Sequence, residues 1–158
     1  VMKAMREPFA LGVATNNSAA CMPAMVNALV GRLGFSRSRV ELLVPLSVAL
    51  LRAGPVAYFV CGSMFIAALY GRSLSAADLA LLAGLAALTG FASSGMAGVV
   101  TVSLMGVVCA SLSLPFEAAF VLFVAVDPVC AMARTALTVI ANCAAVSMIC
   151  ARPVTLQP

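Results

Sequence analysis

The sequence predicts an all-α membrane protein, with two re-entrant helical hairpins and two transmembrane helices arranged as an inverted repeat. Of the 158 residues, 64% are hydrophobic and 9% are charged, whereas a soluble domain is about half apolar and about a quarter charged. A membrane-spanning helix needs roughly 20 apolar residues. Residues 42–70, 79–112 and 118–151 form stretches of that length or more. Their apolar residues do not alternate with polar ones, which argues against a transmembrane barrel.

Residues 7–31 are predicted to form the first hairpin. The apolar stretch is interrupted by four polar residues at 15–18 and again by Pro23. Four polar side chains are costly in the centre of a lipid-facing span. A hairpin whose polar tip is buried in protein accounts for them better than a simple crossing.

Residues 40–71 are predicted to form the first transmembrane helix, broken near its centre at residues 52–55. Proline removes a helical hydrogen bond, and glycine weakens the helix beside it. Unwound backbone at membrane depth is tolerated only inside protein or along a wet cavity. The break is therefore expected to face the protein interior.

Residues 76–113 are predicted to form the second hairpin. This stretch is too long for one simple crossing, and residues 89–98 in its middle are rich in glycine and serine. Two short helices meeting at a flexible tip explain both facts. The alternative is one long tilted helix whose small residues lie at a packing face.

Residues 116–151 are predicted to form the last helix, which carries a polar stripe. Asp127, Ala131, Arg134, Thr138 and Asn142 follow one another at steps of four, three, four and four. At 3.6 residues per turn they share one face. We expect this face to point into the protein.

A hairpin followed by a long helix thus occurs twice, and the segment between the two units crosses the membrane once. The second unit should therefore be inverted, an architecture of secondary transporters whose site lies at the repeat interface. Basic residues mark the cytoplasmic side. They place both termini and the loop 34–39 in the cytoplasm and the loop 70–78 outside, as expected for a multi-pass protein of the inner (cytoplasmic) membrane. Since topology explains these basic residues, no nucleic-acid partner is expected.

The six cysteines form no CxxC pair, and the chain contains no histidine. We therefore interpret the cysteines as apolar packing residues and expect neither a metal site nor a cofactor. The missing histidine excludes a Ser–His dyad, and only Asp127 is a carboxylate deep in a span, so an intramembrane enzyme is not supported.

Arg134 is the sharpest candidate for a site residue. A guanidinium held inside the membrane costs at least a few kcal/mol and needs an anionic or carbonyl partner. One hypothesis is that its guanidinium binds a substrate carboxylate through two parallel hydrogen bonds. The other is that it pairs internally with Asp127, although seven residues is a long reach for that contact.

Arg52 is the second cation at membrane depth, and three hypotheses are open for it. It is a second anchor for a dianion, a built-in positive charge replacing a coupling cation, or a structural charge bound to freed carbonyls. Thr138 and Asn142 offer oxygen ligands for a small cation, or else helix–helix hydrogen bonds. At the first hairpin tip, Asn17 and Ser18 offer amide and hydroxyl groups near half-helix ends that attract anions.

Four motifs then occur in order along the chain: residues 17–23, Pro45-Leu46 with Gly54, residues 93–98, and Asp127 with residues 132–135. Together they resemble the C-terminal half of the dicarboxylate/amino acid:cation symporters, the family of glutamate and C4-dicarboxylate carriers. The resemblance covers nearly the whole chain. It implies a transport domain that moves by an elevator motion against a scaffold within a homotrimer, with Na+ or H+ as the coupling ion.

The resemblance also implies site residues. Ser18, beside Asn17, falls on the tip of the first hairpin that lines the substrate site. Gly95 and Met96 fall on the second hairpin, which gates that site. Arg134 falls on the arginine that takes a substrate carboxylate, and Thr135 follows it as in many amino acid carriers.

The chain also departs from the family pattern. The serine triplet becomes residues 17–19, and the run Asn-Met-Asp-Gly-Thr becomes residues 51–55, which keep only Gly54. Ala131 stands where an aspartate binds a substrate amino group, so a substrate without one is expected. An asparagine of the last helix becomes Thr138, and the acidic cation ligand becomes Asn142, as in C4-dicarboxylate carriers.

Two hypotheses on function follow. The first is secondary transport of a dicarboxylate or related carboxylate across the lipid bilayer, symporter-like with altered or weakened cation coupling. The second is a degenerate or truncated membrane protein of the same fold that does not transport. Residue 1 is a valine and the scaffold helices are missing, so we expect the chain to be a piece of a longer protein.

Overall fold

A computed structural model describes residues 5–93 and 98–150, whose regular secondary structure is all helical, with no strand among them. The helices, in chain order, are α1 (Arg6–Thr15), α2 (Met22–Asn27), a π-helical segment (Ala28–Arg32), α3 (Arg37–Leu50), α4 (Ala53–Leu69), α5 (Ala76–Ala92), α6 (Val99–Ser111) and α7 (Glu117–Cys150). The all-α class predicted from composition is confirmed for the described part of the chain.

Two helical stretches, Arg37–Leu69 and Glu117–Cys150, are long and apolar enough to cross a membrane. Helices α5 and α6 are apolar but shorter. Large apolar side chains are exposed along these helices; Leu42 and Val121, for example, are 71% and 75% exposed. A helix that is apolar on its outer face as well suits lipid rather than water.

The first long helix is broken between α3 and α4. Leu51 (φ −94°, ψ 88°) and Arg52 (φ −94°, ψ 43°) leave the helical region. Gly54 and Pro55 follow in the first turn of α4, where the missing N–H of proline costs no intrahelical bond. The break therefore lies just before the Gly-Pro pair and includes Arg52.

The chain divides into two compact units. The first unit comprises Val1–Leu51 with Thr135–Pro158, and the second comprises Arg52–Arg134. One boundary falls in the break before α4, and the other falls inside α7. Each unit therefore contains one pair of short helices and a part of each long helix, rather than one complete sequential repeat.

The hydrophobic core of the first unit is built mainly from α2, the π-helical segment, α3 and the second part of α7. Val40, Val44 and Val48 recur at every fourth residue of α3, and all are buried. At this spacing the side chains lie one above another on the same face. They pack with buried residues from the region of α2 and the π-helical segment and from α7, which are Cys21, Met25, Leu29, Val139, Cys143 and Val146.

The core of the second unit is richer in aromatic residues. Phe116 and Phe123 lie with their ring centroids 5.5 Å apart in an edge-to-face arrangement. Phe59 of α4 and Met105 of α6 are fully buried against this cluster. Edge-to-face rings stabilise a core beyond the area they bury, so these rings fix α4 and α6 against the first part of α7.

Candidate functional site

The central feature of the second unit is an ion pair within α7. Arg134 Nη1 lies 3.0 Å from Asp127 Oδ1, and the two side chains are 10% and 5% exposed. The two atoms are in ion-pair contact but are not aligned as a hydrogen bond. The buried guanidinium expected from the sequence therefore has an internal carboxylate beside it.

Seven residues is a long reach for an arginine, yet Arg134 and Asp127 are in contact, as the second of the two hypotheses for Arg134 expected. Seven residues at 3.6 per turn return to nearly the same face of the helix, two turns away. Side chains on a helix lean toward its N-terminus. The long arginine side chain therefore extends back toward Asp127 and reaches its carboxylate.

A tyrosine of α4 completes this cluster. The guanidinium carbon of Arg134 lies 4.4 Å from the centroid of the Tyr58 ring. Such a cation–π contact is worth about 0.5–2 kcal/mol, more when the cation is desolvated. Tyr58 was not among the residues expected from the sequence. The signal for it was that a tyrosine, one of only two in the chain, lies in an otherwise apolar span.

The polar residues that follow Arg134 belong to the first unit and point inward. Thr135, Thr138 and Asn142 are 9%, 3% and 0% exposed. Thr135 lies where α1 passes close to α7, since a Cβ on Gly12 would meet Thr135 Cγ2 at 3.6 Å and Val139 Cγ2 at 3.3 Å. The inward direction of the polar stripe agrees with the helical periodicity read from the sequence.

Asn142 has an unusual environment. Its side chain is fully buried, yet neither amide atom has a hydrogen-bond partner among residues 5–93 and 98–150. A buried polar group without a partner costs about 1–3 kcal/mol. An amide in this position is costly for folding alone, which favours a role in binding a polar ligand.

At the tip after α1, the candidate residues hold the turn. Asn16 ends the helix in the left-handed conformation (φ 51°), and its N–H donates to the Gly12 carbonyl. Asn17 Oδ1 accepts hydrogen bonds from the backbone N–H groups of Ala19 and Ala20, at 2.9 Å and 3.4 Å. This is the local turn that asparagine favours. Ser18 is half-buried in the same turn.

In the second unit, Arg52 reaches the end of α5. Its Nε donates to the Gly90 carbonyl oxygen at 3.4 Å. Gly54, the glycine shared with the family pattern, is buried in the first turn of α4. Of the three hypotheses for Arg52, this contact favours a charge bound to backbone carbonyls.

Two candidate residues, Gly95 and Met96, lie outside the described residues. Within the described ranges, no group of three or more His, Cys, Asp or Glu side chains is placed to hold a metal ion. The oxygen atoms that Thr138 and Asn142 offer a small cation are neutral.

Two long apolar helices, one interrupted at Arg52 and one carrying buried polar and charged residues, are features of integral membrane proteins of the transporter class. The sequence model of the sodium:dicarboxylate symporter family matches residues 1–152. The chain belongs to this family, whose members are membrane transporters that couple the transport of small carboxylates or amino acids to that of sodium. Among curated proteins, none matches this chain.

Proposed function

We propose that this chain forms the substrate-binding part of a secondary transporter for a dicarboxylate or a related carboxylate. The observation that carries the proposal is the nearly buried Arg134 guanidinium, held between Asp127 and the ring of Tyr58. A charge at this depth costs a few kcal/mol, so it is retained where it has a function. The planar fork of arginine matches a carboxylate.

The residue one turn before Arg134 supports a substrate without an amino group. Position 131 is an alanine, half-buried on α7. A substrate ammonium group would need an acidic or carbonyl partner there. An aliphatic side chain offers neither, so a dicarboxylate fits this face of α7 better than an amino acid.

The residues that stand in place of the family's cation ligands support weakened or altered cation coupling, with sodium or a proton as the residual coupling ion. The break has Arg52 and Ala53 and lacks the carboxylate that the family pattern places there to attract a cation. Asn142 offers a neutral amide where the family has an acidic cation ligand. Neutral oxygens alone bind a hard cation weakly. In proteoliposomes, we expect nearly equal carboxylate uptake with sodium or choline outside; steep sodium dependence would reject weakened coupling.

In this proposal, α1–α2 and α5–α6 are re-entrant hairpins of an inverted repeat. The whole moves as an elevator-type transport domain within a homotrimer in the cytoplasmic membrane. The exposed apolar faces of α3, α4 and α7 support burial in lipid or against other transmembrane helices.

The test is uptake of a radiolabelled C4-dicarboxylate by the reconstituted full-length protein. Arg134→Ala is combined with Asp127→Asn, so that no buried carboxylate is left without its cation. We expect uptake to be abolished in this double variant. Arg72→Gln, which changes an exposed loop arginine, is the matched control and should retain uptake. Unchanged uptake in the double variant would remove Arg134 from the site.

A specific observation favours a second function, a non-transporting membrane protein of the same fold. The ion pair between Asp127 and Arg134 satisfies the guanidinium inside one helix, so the charge can be structural. Calorimetric titration of the purified protein with dicarboxylates separates the two. Saturable binding supports a carrier, and absence of binding across a panel of carboxylates supports the non-transporting alternative.

A further inference from the structure

Arg52 lies at a junction between two helices of the second unit. It occupies the break before α4, and its own carbonyl oxygen accepts from the Val56 N–H at 3.1 Å. Its Nε donates to the Gly90 carbonyl at 3.4 Å. One residue therefore starts α4 with its backbone and reaches α5 with its side chain.

The two helices approach closely at this point. A Cβ built on Gly90 would lie 2.8 Å from Val56 Cγ2 and 3.9 Å from Arg52 Cβ. Only a residue without a side chain allows the start of α4 to lie this near α5. The backbone carbonyl of Gly90 is consequently within reach of the arginine.

The part of α5 that Arg52 reaches is its negative end. Gly90 lies two residues before the last residue of the helix, Ala92. The last four carbonyls of a helix lack intrahelical partners, and the helix dipole places about half a negative charge there. The Ser93 hydroxyl also donates to the Gly90 oxygen, at 3.0 Å. Neutral and cationic donors thus converge on one carbonyl.

No carboxylate of residues 5–93 and 98–150 is in ion-pair contact with Arg52; the ion pairs found there use Arg32, Arg37 and Arg134. The countercharge of Arg52 is therefore the carbonyl end of α5. Arg52 differs in this respect from Arg134, whose countercharge is the side chain of Asp127.

We infer that Arg52 is a resident cation for the C-terminal end of α5. Its guanidinium fastens this end to the start of α4 and takes the place of a dissolved cation at these carbonyls. Because the charge is covalently part of the chain, the end of α5 is held at any sodium concentration. The contact is local, so its test needs no transport and is independent of the proposed substrate.

The test is hydrogen–deuterium exchange of the purified full chain, read at the backbone amides of residues 88–93. In the wild type we expect equal protection of these amides in sodium and in choline. Arg52→Met should speed their exchange roughly tenfold or more, the factor that corresponds to losing a charge-assisted hydrogen bond. Added methylguanidinium should restore protection, since it supplies the same planar donor.

Arg72→Met is the matched control. Arg72 also donates to a backbone carbonyl, that of Ser113 at 2.6 Å, but in an exposed loop. This variant should leave residues 88–93 unchanged. If Arg52→Met does not fold, the inference is still tested by the protection of residues 88–93 in the wild type, in sodium and in choline, and in Arg52→Lys, which keeps the charge. Sodium-dependent protection in the wild type, or unchanged exchange in Arg52→Met, would overturn the inference.

Discussion

Asp127 and Arg134 stand two turns apart on α7 and are joined by an ion pair of 3.0 Å. Both side chains are nearly buried, so neither charge is compensated by water. Breaking such a pair costs about 3–5 kcal/mol, whereas replacing both partners by apolar residues is often neutral. The pair therefore explains how α7 carries a guanidinium at this depth, without showing why the guanidinium is there.

A single and a double substitution test how far Arg134 depends on Asp127 for the stability of the fold. Asp127→Leu alone should lower the free energy of unfolding by about 3–5 kcal/mol, since Arg134 loses its carboxylate. Asp127→Leu with Arg134→Met should recover most of that loss. Chemical denaturation in detergent measures both. Equal destabilisation in the single and double variants would mean that the ion pair is not coupled.

Gly90 and Gly84 of α5 form a matched pair. Gly90→Ala should destabilise the protein, because the new methyl group would lie 2.8 Å from the stiff Val56 side chain. Gly84 has open space around its Cβ position. Gly84→Ala should therefore stabilise α5 by about 0.5–1 kcal/mol through helix propensity. Thermal unfolding compares the two, and opposite signs are expected. A stabilising Gly90→Ala would show that α4 and α5 are not in close contact.

Replacing Asn142 tests whether its amide serves folding or binding. Asn142→Leu should leave thermal stability unchanged or raise it, since a buried amide without partners costs about 1–3 kcal/mol. Thr138→Val is the control; Thr138, one turn earlier, does have a partner, so its loss should lower stability. A strong destabilisation by Asn142→Leu would contradict the absence of a structural role. If the amide binds a polar ligand, Asn142→Leu should also reduce uptake.

The start of α5 should respond to acid. The Ser75 backbone N–H and hydroxyl both donate to Asp78 Oδ2, at 3.0 Å and 2.9 Å. These hydrogen bonds lower the pKa of Asp78 below its usual value. As the pH falls, Asp78 therefore binds a proton in the unfolded chain before it does so in the folded chain. The stabilisation is present above the ordinary value of about 3.9 and is lost as pH falls through the lowered pKa.

Hydrogen exchange at the first turn of α5, followed from about pH 6 down to about pH 2 with correction for intrinsic rates, measures this loss. Asp78→Asn keeps the size of the side chain but cannot ionise, so it should show no such transition. The same transition in Asp78→Asn would assign the effect to another group.

The helices of this fold could be predicted from the sequence because their apolar stretches have the length and composition of membrane spans. The positions of the prolines did not by themselves predict where the helices break. Pro45 and Pro128 lie inside α3 and α7, which continue through them, whereas the chain breaks at Leu51 and Arg52. A proline removes one hydrogen bond from a helix, and the helix ends there only where neighbouring residues also lose their helical hydrogen bonds.

Parts of the candidate site could not be predicted in the same way. The polar stripe of α7 followed from periodicity within one helix, and so did the burial of Thr138 and Asn142. The contacts of Arg134 with Tyr58 and of Arg52 with Gly90 join different helices. They depend on how α4 packs against α5 and α7, which the spacing of residues along one helix does not specify.

The most direct test of the account is the affinity of the purified protein for a C4-dicarboxylate and for its monoamide. One carboxylate is replaced in the monoamide by a neutral group of similar shape. In the wild type and in Asp127→Asn, the dicarboxylate should bind at least about tenfold more tightly, the gain expected from a charge-assisted contact. In Asp127→Asn with Arg134→Ala the preference should disappear. A preference that survives the loss of Arg134 would contradict its role as the carboxylate-binding residue.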